Sequence, residues 1–415
     1  MTKEVKANIA VCGRFHYNHY VRYLNEFEGL NRFYHSSNLS FRSSRLGIPS
    51  EKSVNIFPKE YLVHLHSRVL GNRFRIRAFG LYHDLWQLGV IMRWRSAPIL
   101  HHMLHGNGRR LISRARKDGA IVIGEPVNSH PRELHRLLNE EHERLGIRER
   151  LTENLLDHRL VTEAADCDYL VTGSNVVKSS FARNGFPSEK LRVIPFGTDT
   201  ERFSPLSVQE RNQRSSGLPD VSFRVICVGQ ITPRKGHIYL LQAWRQLNIA
   251  DAELLFVGRV DPIMKPVLDN YAESFRHIPH VPHDRLRHYY GASDVFVLPS
   301  LEDGFAYVCA EALGNGLPVV TTDNNGASEL LADGVDGFVV PVRSSRAIAE
   351  KLERLFLDKV LRISMSKAAV QKAASTLQWR DYAARLLDFY RDVYGSNEQQ
   401  KGIVSNLSGP LKGPP

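Results

Sequence analysis

From residue 223 onward, short continuous apolar runs alternate with polar loops and stretches of helical period. FRVICVG (223–229), AELLFVG (252–258), DVFVLPS (294–300) and PVVTT (318–322) are such runs, each closed by turn-forming or small polar residues. Runs that are continuous rather than alternating predict strands buried on both faces, and their alternation with helices predicts a parallel, doubly wound sheet. DGFVVP, followed by a helix from about Ser345 to Leu357, completes the pattern.

The first half repeats this grammar less cleanly. ANIAVCG, APILHHM, AIVIGE and DYLVTGS read as strands, and LRVIP as a further one. Between Ser36 and Ser96 the pattern dissolves into segments rich in Arg, His and aromatics, such as YLVHLHSRVL and YHDLWQLGVIMRWR, which read as inserted helices and loops. The polar, turn-rich stretch FGTDTERFSPLSVQERNQRSSGLPD separates the two halves. The domains expected are therefore α/β and Rossmann-like at 1–200 and 201–378. An amphipathic helix at 379–394 and a tail of linker composition at 395–415 follow, the tail read as disordered. Two such halves would form a cleft at the carboxyl ends of their strands, where ligands bind in open α/β sheets.

Composition changes the picture in three places. With 42% apolar and 24% charged residues, the 415-residue chain has the make-up of a soluble globular protein, not of a disordered or disulfide-stapled one. Its 55 Lys and Arg against 44 Asp and Glu leave a net charge of +11, which suits an anionic partner without choosing one. Cys12, Cys167, Cys227 and Cys309 lie far apart with no metal-ligand spacing, so buried free thiols in a reducing compartment are expected, with no metal and no cofactor. No apolar run approaches the roughly 20 residues that span a bilayer. The amino terminus lacks the apolar core of a signal peptide. The expected location is cytoplasmic, with peripheral contact to the inner face of a membrane left open.

Two loops carry candidate chemistry. After FRVICVG come Gly229 and then Arg234-Lys235-Gly236, leading into the helix HIYLLQAWRQL. A glycine that lets a ligand approach the backbone, with two cations near a helix start, suits a phosphate or diphosphate. The rival reading is a solvated basic turn. After DVFVLPS come Glu302, Asp303, Gly304, Phe305, Ala306 and Tyr307, with Glu311 on the helix that follows. Asp303 is placed to accept sugar hydroxyls and Glu311 a ribose diol, and the N–H groups of Phe305, Ala306 and Tyr307 are placed for phosphate oxygens. The alternative makes Asp303 an N-cap and Glu311 a solvated helical residue. In the first half, Gly13-Arg14-Phe15-His16 follows the first strand, and His130 follows AIVIGEPVNS.

In combination these residues resemble a family-4 retaining glycosyltransferase of the GT-B fold. The matching motifs are Gly229 with Arg234-Lys235-Gly236, and Asp303-Gly304-Phe305-Ala306 through to Glu311, in place of the family's E-x7-E. VTGSNVVKSSFARNGFPSEKLRVIPFGTDTERFSP resembles the interdomain passage, and LPVVTTDNNGASELLADGVDGFVVP the closing sheet region. The likeness covers about Leu160 to Tyr390. It departs in three places: Asp303 stands at the first acidic position with Glu302 before it, so either Asp303, the favoured reading, takes the role or the loop shifts to present Glu302; Ala306 replaces a glycine; and Gly229-Gln230 lacks a doubled glycine.

The resemblance implies a nucleotide diphosphate sugar as donor, bound by 201–378, and a glycan or lipid-linked hydroxyl acceptor on 1–200. It further implies transfer with retention and no bound metal. Arg234 and Lys235 would stabilise the leaving diphosphate, Asp303 the donor sugar and Glu311 the ribose. Gly13 would face the donor phosphates, and His130 would stand near the transferred sugar or be structural. Two rival classes are weaker. Nucleic-acid binding rests on charge alone, without zinc or RNP-like patterns. A non-catalytic nucleotide-sugar-binding scaffold of a glycan assembly complex would account for the altered acidic motif. The Arg-rich segment Arg68–Lys117 suits docking on an anionic membrane surface, or is an exposed basic face with ordinary core aromatics.

Overall fold

The computed structural model describes residues 5–13, 15–37, 43–70, 75–106, 108–199, 202–207 and 217–407. Seven strands form the first sheet: β1 (Ala7–Val11), β2 (Leu30–His35), β3 (Ser53–Asn55), β4 (Ile99–Met103), β5 (Ile121–Glu125), β6 (Tyr169–Thr172) and β7 (Leu191–Val193). Their order is β3-β2-β1-β4-β5-β6-β7. β1 pairs with both β2 and β4 in parallel register, Ile9 facing Phe33 on one side and His101 on the other.

The second sheet holds β8 (Phe223–Val228), β9 (Ala252–Val257), β10 (Arg276–Ile278), β11 (Val295–Leu298), β12 (Val319–Thr322) and β13 (Gly337–Val340), in the order β10-β9-β8-β11-β12-β13. This is the doubly wound arrangement, and its direction reverses between β8 and β11. All residues of β8, β11 and β12 are buried, as expected of strands covered by helices on both faces.

By contacts the chain divides into two compact units. One comprises Met1–Pro126, Asn154–Val171 and Tyr382–Pro415, and the other Val127–Glu153 and Thr172–Asp381. The single boundary near residue 200 read from the linker composition does not coincide with this interleaved division. Part of that linker, residues 208–216, lies outside the described residues.

In the first unit the last residue of β5, Glu125, is fully buried. His16 Nε2 lies 2.7 Å and His101 Nε2 3.0 Å from its carboxylate oxygens, and the Tyr382 hydroxyl donates to it at 3.2 Å. The Tyr390 hydroxyl bonds His101 Nδ1 at 2.5 Å. Burial alone would raise the Glu125 pKa, but His16 and His101 more than offset that and hold the group below the usual carboxylate range.

One expectation is corrected. The helix that begins at Trp379 runs to Leu407, so residues 395–407 are helical rather than a loose tail. Its buried face through Val393 is built from Tyr382, Ala383, Leu386, Leu387, Phe389, Tyr390 and Val393. Beyond that point the segment SNEQQKGIVSNL offers little apolar periodicity, which is why composition read it as linker. Residues 408–415 lie outside the described residues. The four cysteines are buried free thiols.

Candidate functional site

At the reversal point of the second sheet, the loops after β8 and β11 meet. The first is shaped by Gly229 (φ +144°) and Gly236 (φ +65°). A Cβ at Gly236 would stand 2.0 Å from the Pro299 carbonyl oxygen, so only glycine permits this approach. The backbone seals the contact: Leu301 N–H donates to the Arg234 carbonyl at 2.8 Å. Arg234 and Lys235 occupy the short 3-10 turn Pro233–Lys235, just before the helix His237–Leu247.

Each cation faces a carboxylate. Arg234 Nη1 donates to Glu302 Oε2 at 3.0 Å, and Lys235 Nζ pairs with Asp303 Oδ2. The remaining oxygens are also engaged: Glu302 Oε1 accepts the Ser129 N–H at 3.0 Å, and Asp303 Oδ1 the Ala306 N–H at 3.1 Å. Burial of Asp303 would raise its pKa, but Lys235 and then Arg234 lower it below the ordinary value. Burial would lower the Arg234 pKa, and Asp303 and Glu302 reverse that.

Gly304 is required by crowding. A Cβ there would lie 1.9 Å from the Val127 carbonyl oxygen. Ser174, which caps the helix Asn175–Arg183, donates its hydroxyl to the Gly304 carbonyl at 2.7 Å. Asn324, after β12, supports the same loop by donating to the Leu301 carbonyl at 2.7 Å. Ala306 adopts φ +55°, ψ +72°, the left-handed conformation that its side chain disfavours, and heads the helix Tyr307–Gly314. Its N–H is committed to Asp303, so Asp303 acts as a turn-capping group as well as an ion-pair partner. Phe305 and Tyr307 pack against Phe196, with centroids 5.1 and 5.4 Å away.

Glu311 is buried rather than solvated. His283 Nε2 lies 2.9 Å from its Oε1, and the Tyr290 hydroxyl donates to Oε2 at 3.0 Å. Burial, then the Glu311 charge, pushes the Tyr290 hydroxyl well above its ordinary pKa, so it remains a donor. His130 caps the helix Pro131–Arg144, its ring Nδ1 accepting the Arg132 N–H at 3.3 Å, while the His130 backbone N–H donates to Ser180 Oγ at 2.9 Å. An accepting Nδ1 puts the proton of the neutral ring on Nε2. Burial, reinforced by Arg132, lowers its pKa and keeps it neutral.

The loop-borne candidates thus converge. Arg234, Lys235, Asp303, Gly304 and Ala306 share one network with Glu302, and His130 adjoins it through Ser129. Glu311 belongs to a second cluster, on the helix that Ala306 heads. Gly13 (φ +142°) follows β1 in the other unit, and Arg14 lies outside the described residues. Sequence reasoning missed Ser129, Ser174, His283 and Tyr290. Ser174 alone carried a signal, as a Ser ahead of an apolar helical stretch.

Two doubly wound parallel sheets define an α/β protein of the GT-B type. Residues 208–372 match the family described as glycosyl transferases group 1. The chain is 30% identical over 237 residues to a GDP-mannose-dependent alpha-(1-6)-phosphatidylinositol monomannoside mannosyltransferase of Mycolicibacterium smegmatis, covering 54% of this chain and 62% of that enzyme. It is 29% identical over 221 residues to a UDP-Gal:alpha-D-GlcNAc-diphosphoundecaprenol alpha-1,3-galactosyltransferase of Escherichia coli, covering 49% and 54%. The chain therefore spans 54–62% of the length of these relatives. Sucrose-phosphate synthase from Thermosynechococcus elongatus shares the fold, with a TM-score of 0.64 at 20% identity over 94% of this chain and all of the other.

Proposed function

We propose that the protein is a retaining glycosyltransferase that moves a hexosyl unit from a UDP- or GDP-sugar to a hydroxyl acceptor in glycolipid or cell-surface polysaccharide assembly. The observation that carries this reading is the pair of ion pairs, Arg234–Glu302 and Lys235–Asp303, at the reversal point of the second sheet. Glu302 and Asp303 hold two cations where a diphosphate meets the carboxyl ends of the strands. As the bond from the anomeric carbon to the phosphate oxygen breaks, negative charge grows on the leaving diphosphate. Cations already fixed in place stabilise that charge more than the ground state. Asp303 orients the donor sugar and Glu311 the ribose, with His283 and Tyr290 fixing the Glu311 carboxylate. His130, neutral and with its proton on Nε2, presents a donor to a sugar hydroxyl.

The relatives' own names support a lipid-linked or glycolipid acceptor. Among the described residues no helix is long and apolar enough to cross a membrane. The helices Pro58–Val69 and Arg75–Met92 instead expose Tyr61, Leu65, Val69, Leu81, Leu85, Leu88 and Met92, and the helix Arg109–Lys117 follows with five cationic residues. Apolar side chains beside a basic helix suit the surface of an anionic bilayer.

The test is release of UDP or GDP from a panel of nucleotide sugars, with polyprenyl-diphosphate sugars and phosphatidylinositol glycosides as acceptors. Turnover that needs both substrates supports the reading. Binding of a nucleotide sugar without turnover on any acceptor would favour a scaffold role, and no binding at all would overturn both.

A further inference from the structure

A cavity lined by polar residues lies entirely within the first unit, away from the residues assigned above. It encloses about 310 Å³ and opens where the loop after β4 enters the helix Arg109–Lys117. Arg109 and Arg110 come from that helix, Asp84 and Gln87 from Arg75–Met92, and His158, Arg159, Thr162 and Glu163 from the helix Leu155–Ala165. Three guanidinium groups thus face two carboxyls.

The carboxyls are both already committed. Asp84 pairs with Arg159 through two contacts of 3.3 Å. Glu163 lies beneath the floor, accepting the N–H of Gly106 at 3.0 Å and that of Gly108. Burial pushes the Glu163 carboxyl up to about 7, against the opposing pull of those N–H groups, so it carries less than a full negative charge near neutrality. On the other side of the balance, Arg109 has only a 4.0 Å contact to Asp166. The Gln87 side chain bonds the Arg110 N–H at 2.8 Å, which fixes the helix start while the Arg110 guanidinium stays exposed. The cavity therefore carries unbalanced positive charge on planar, forked donors, the geometry that binds phosphate oxygens in pairs. It also offers the Thr162 hydroxyl oxygen, whose proton goes to the His158 carbonyl at 2.8 Å, as an acceptor for a hydroxyl group. Its position beyond the carboxyl end of β4, beside the reversal point between β1 and β4, is where doubly wound sheets bind ligands.

We propose that this cavity is a binding site for a phosphate ester of a small polyhydroxyl compound, held by Arg109, Arg110 and Arg159. The site shares no residue with the proposed donor site, so its test does not depend on donor binding. A free phosphate ester and a phospholipid headgroup present the same chemistry, and the experiment separates them.

Binding of sn-glycerol 3-phosphate is measured by isothermal titration calorimetry to the full chain, to Arg109→Ala/Arg110→Ala and to Arg234→Ala/Lys235→Ala. Both cavity substitutions are at exposed side chains, and unchanged thermal unfolding checks that the fold persists. The expected result is saturable binding that survives in the Arg234→Ala/Lys235→Ala protein and weakens at least tenfold in Arg109→Ala/Arg110→Ala, which still binds UDP or GDP. In the lipid arm, sedimentation with phosphatidylglycerol vesicles that drops in the cavity variant, without glycerol phosphate binding, assigns the site to a headgroup. No saturable binding of either probe, or binding indifferent to Arg109 and Arg110, overturns the proposal.

Discussion

Replacing Arg234 by Ala separates the two roles this residue plays. Its guanidinium is the cationic partner of Glu302, whose side chain is only 3% exposed, and a candidate partner of the donor diphosphate. Breaking a buried pair from one side costs about 3–5 kcal/mol. Here the Arg234 side chain keeps 26% exposure and the Ser129 N–H continues to hold the other Glu302 oxygen. A loss of about 2–3 kcal/mol is therefore expected, which for a unit of this size lowers the melting temperature by roughly 5–10 °C. A charged hydrogen bond to phosphate contributes about 1.5–3 kcal/mol, so UDP or GDP affinity should fall roughly 10- to 150-fold. Adding Glu302→Gln to the Arg234→Ala protein removes the uncompensated charge. It should restore much of the melting temperature and none of the nucleotide affinity. Thermal unfolding and calorimetric titration of the unaltered protein, Arg234→Ala, Glu302→Gln and the double variant read both axes. Lost stability with unchanged affinity would make Arg234 a structural cation and sink its assignment to the diphosphate. Affinity restored along with stability would have the same consequence.

Further outcomes follow from other features. Ala306→Gly removes the strain of the left-handed backbone, worth about 1–2 kcal/mol, against an entropic penalty of about 0.5–1 kcal/mol for glycine; a rise of a few degrees in melting temperature is expected. Gly304→Ala forces a Cβ against the Val127 carbonyl and should lower both stability and donor affinity, read in the same two assays. His35 titrates at about 4, and His83, His102 and His237 at about 3, all driven down by burial. Because these folded-state values lie below the unfolded value, the unfolded chain takes up more protons, so stability is full above about pH 6.5 and is lost as pH falls toward 4. A melting temperature flat between pH 7 and 4 would contradict their burial as neutral rings. For the membrane surface, Leu81→Ser/Leu85→Ser/Met92→Ser should reduce sedimentation with anionic vesicles while leaving the melting temperature within a few degrees, since all three side chains are exposed.

The second sheet was legible because its strands are apolar runs with little internal polarity, and the helix Ser345–Leu357 falls where its periodicity put it. β2 was not legible. LNRFYH contains Asn, Arg and His, and its polar side chains find partners outside the strand: Asn31 donates to Asn8, and His35 bonds Ser53. β10, three residues long and partly exposed, has no apolar run to reveal it. In the site, the motif loops marked the cations and the turn carboxylate. They did not reveal that Glu302 and Asp303 each take one cation, because that division depends on how Leu301 docks on Arg234. His283 and Tyr290 lay beyond reach for a similar reason. Only the tertiary approach of two helices brings them to Glu311.

The interleaving of the two units has a consequence for biosynthesis. The chain passes between them at residues 126–127, 153–154, 171–172 and 381–382. The segment just before the helix Pro131–Arg144, which supplies the Ser129 and Val127 contacts to the β11 loop, is made early, yet the loop itself emerges more than 170 residues later. The first unit is left waiting too, since Tyr382 and Tyr390, which complete the surroundings of Glu125 and His101, follow them by 257 and 289 residues. Neither unit can close on a growing chain until residues as far as Asp381 have left the ribosome. For the same reason, no single cut point yields either unit whole. A fragment confined to 208–372 retains the donor motifs but lacks the backbone segment that holds Glu302 and crowds Gly304.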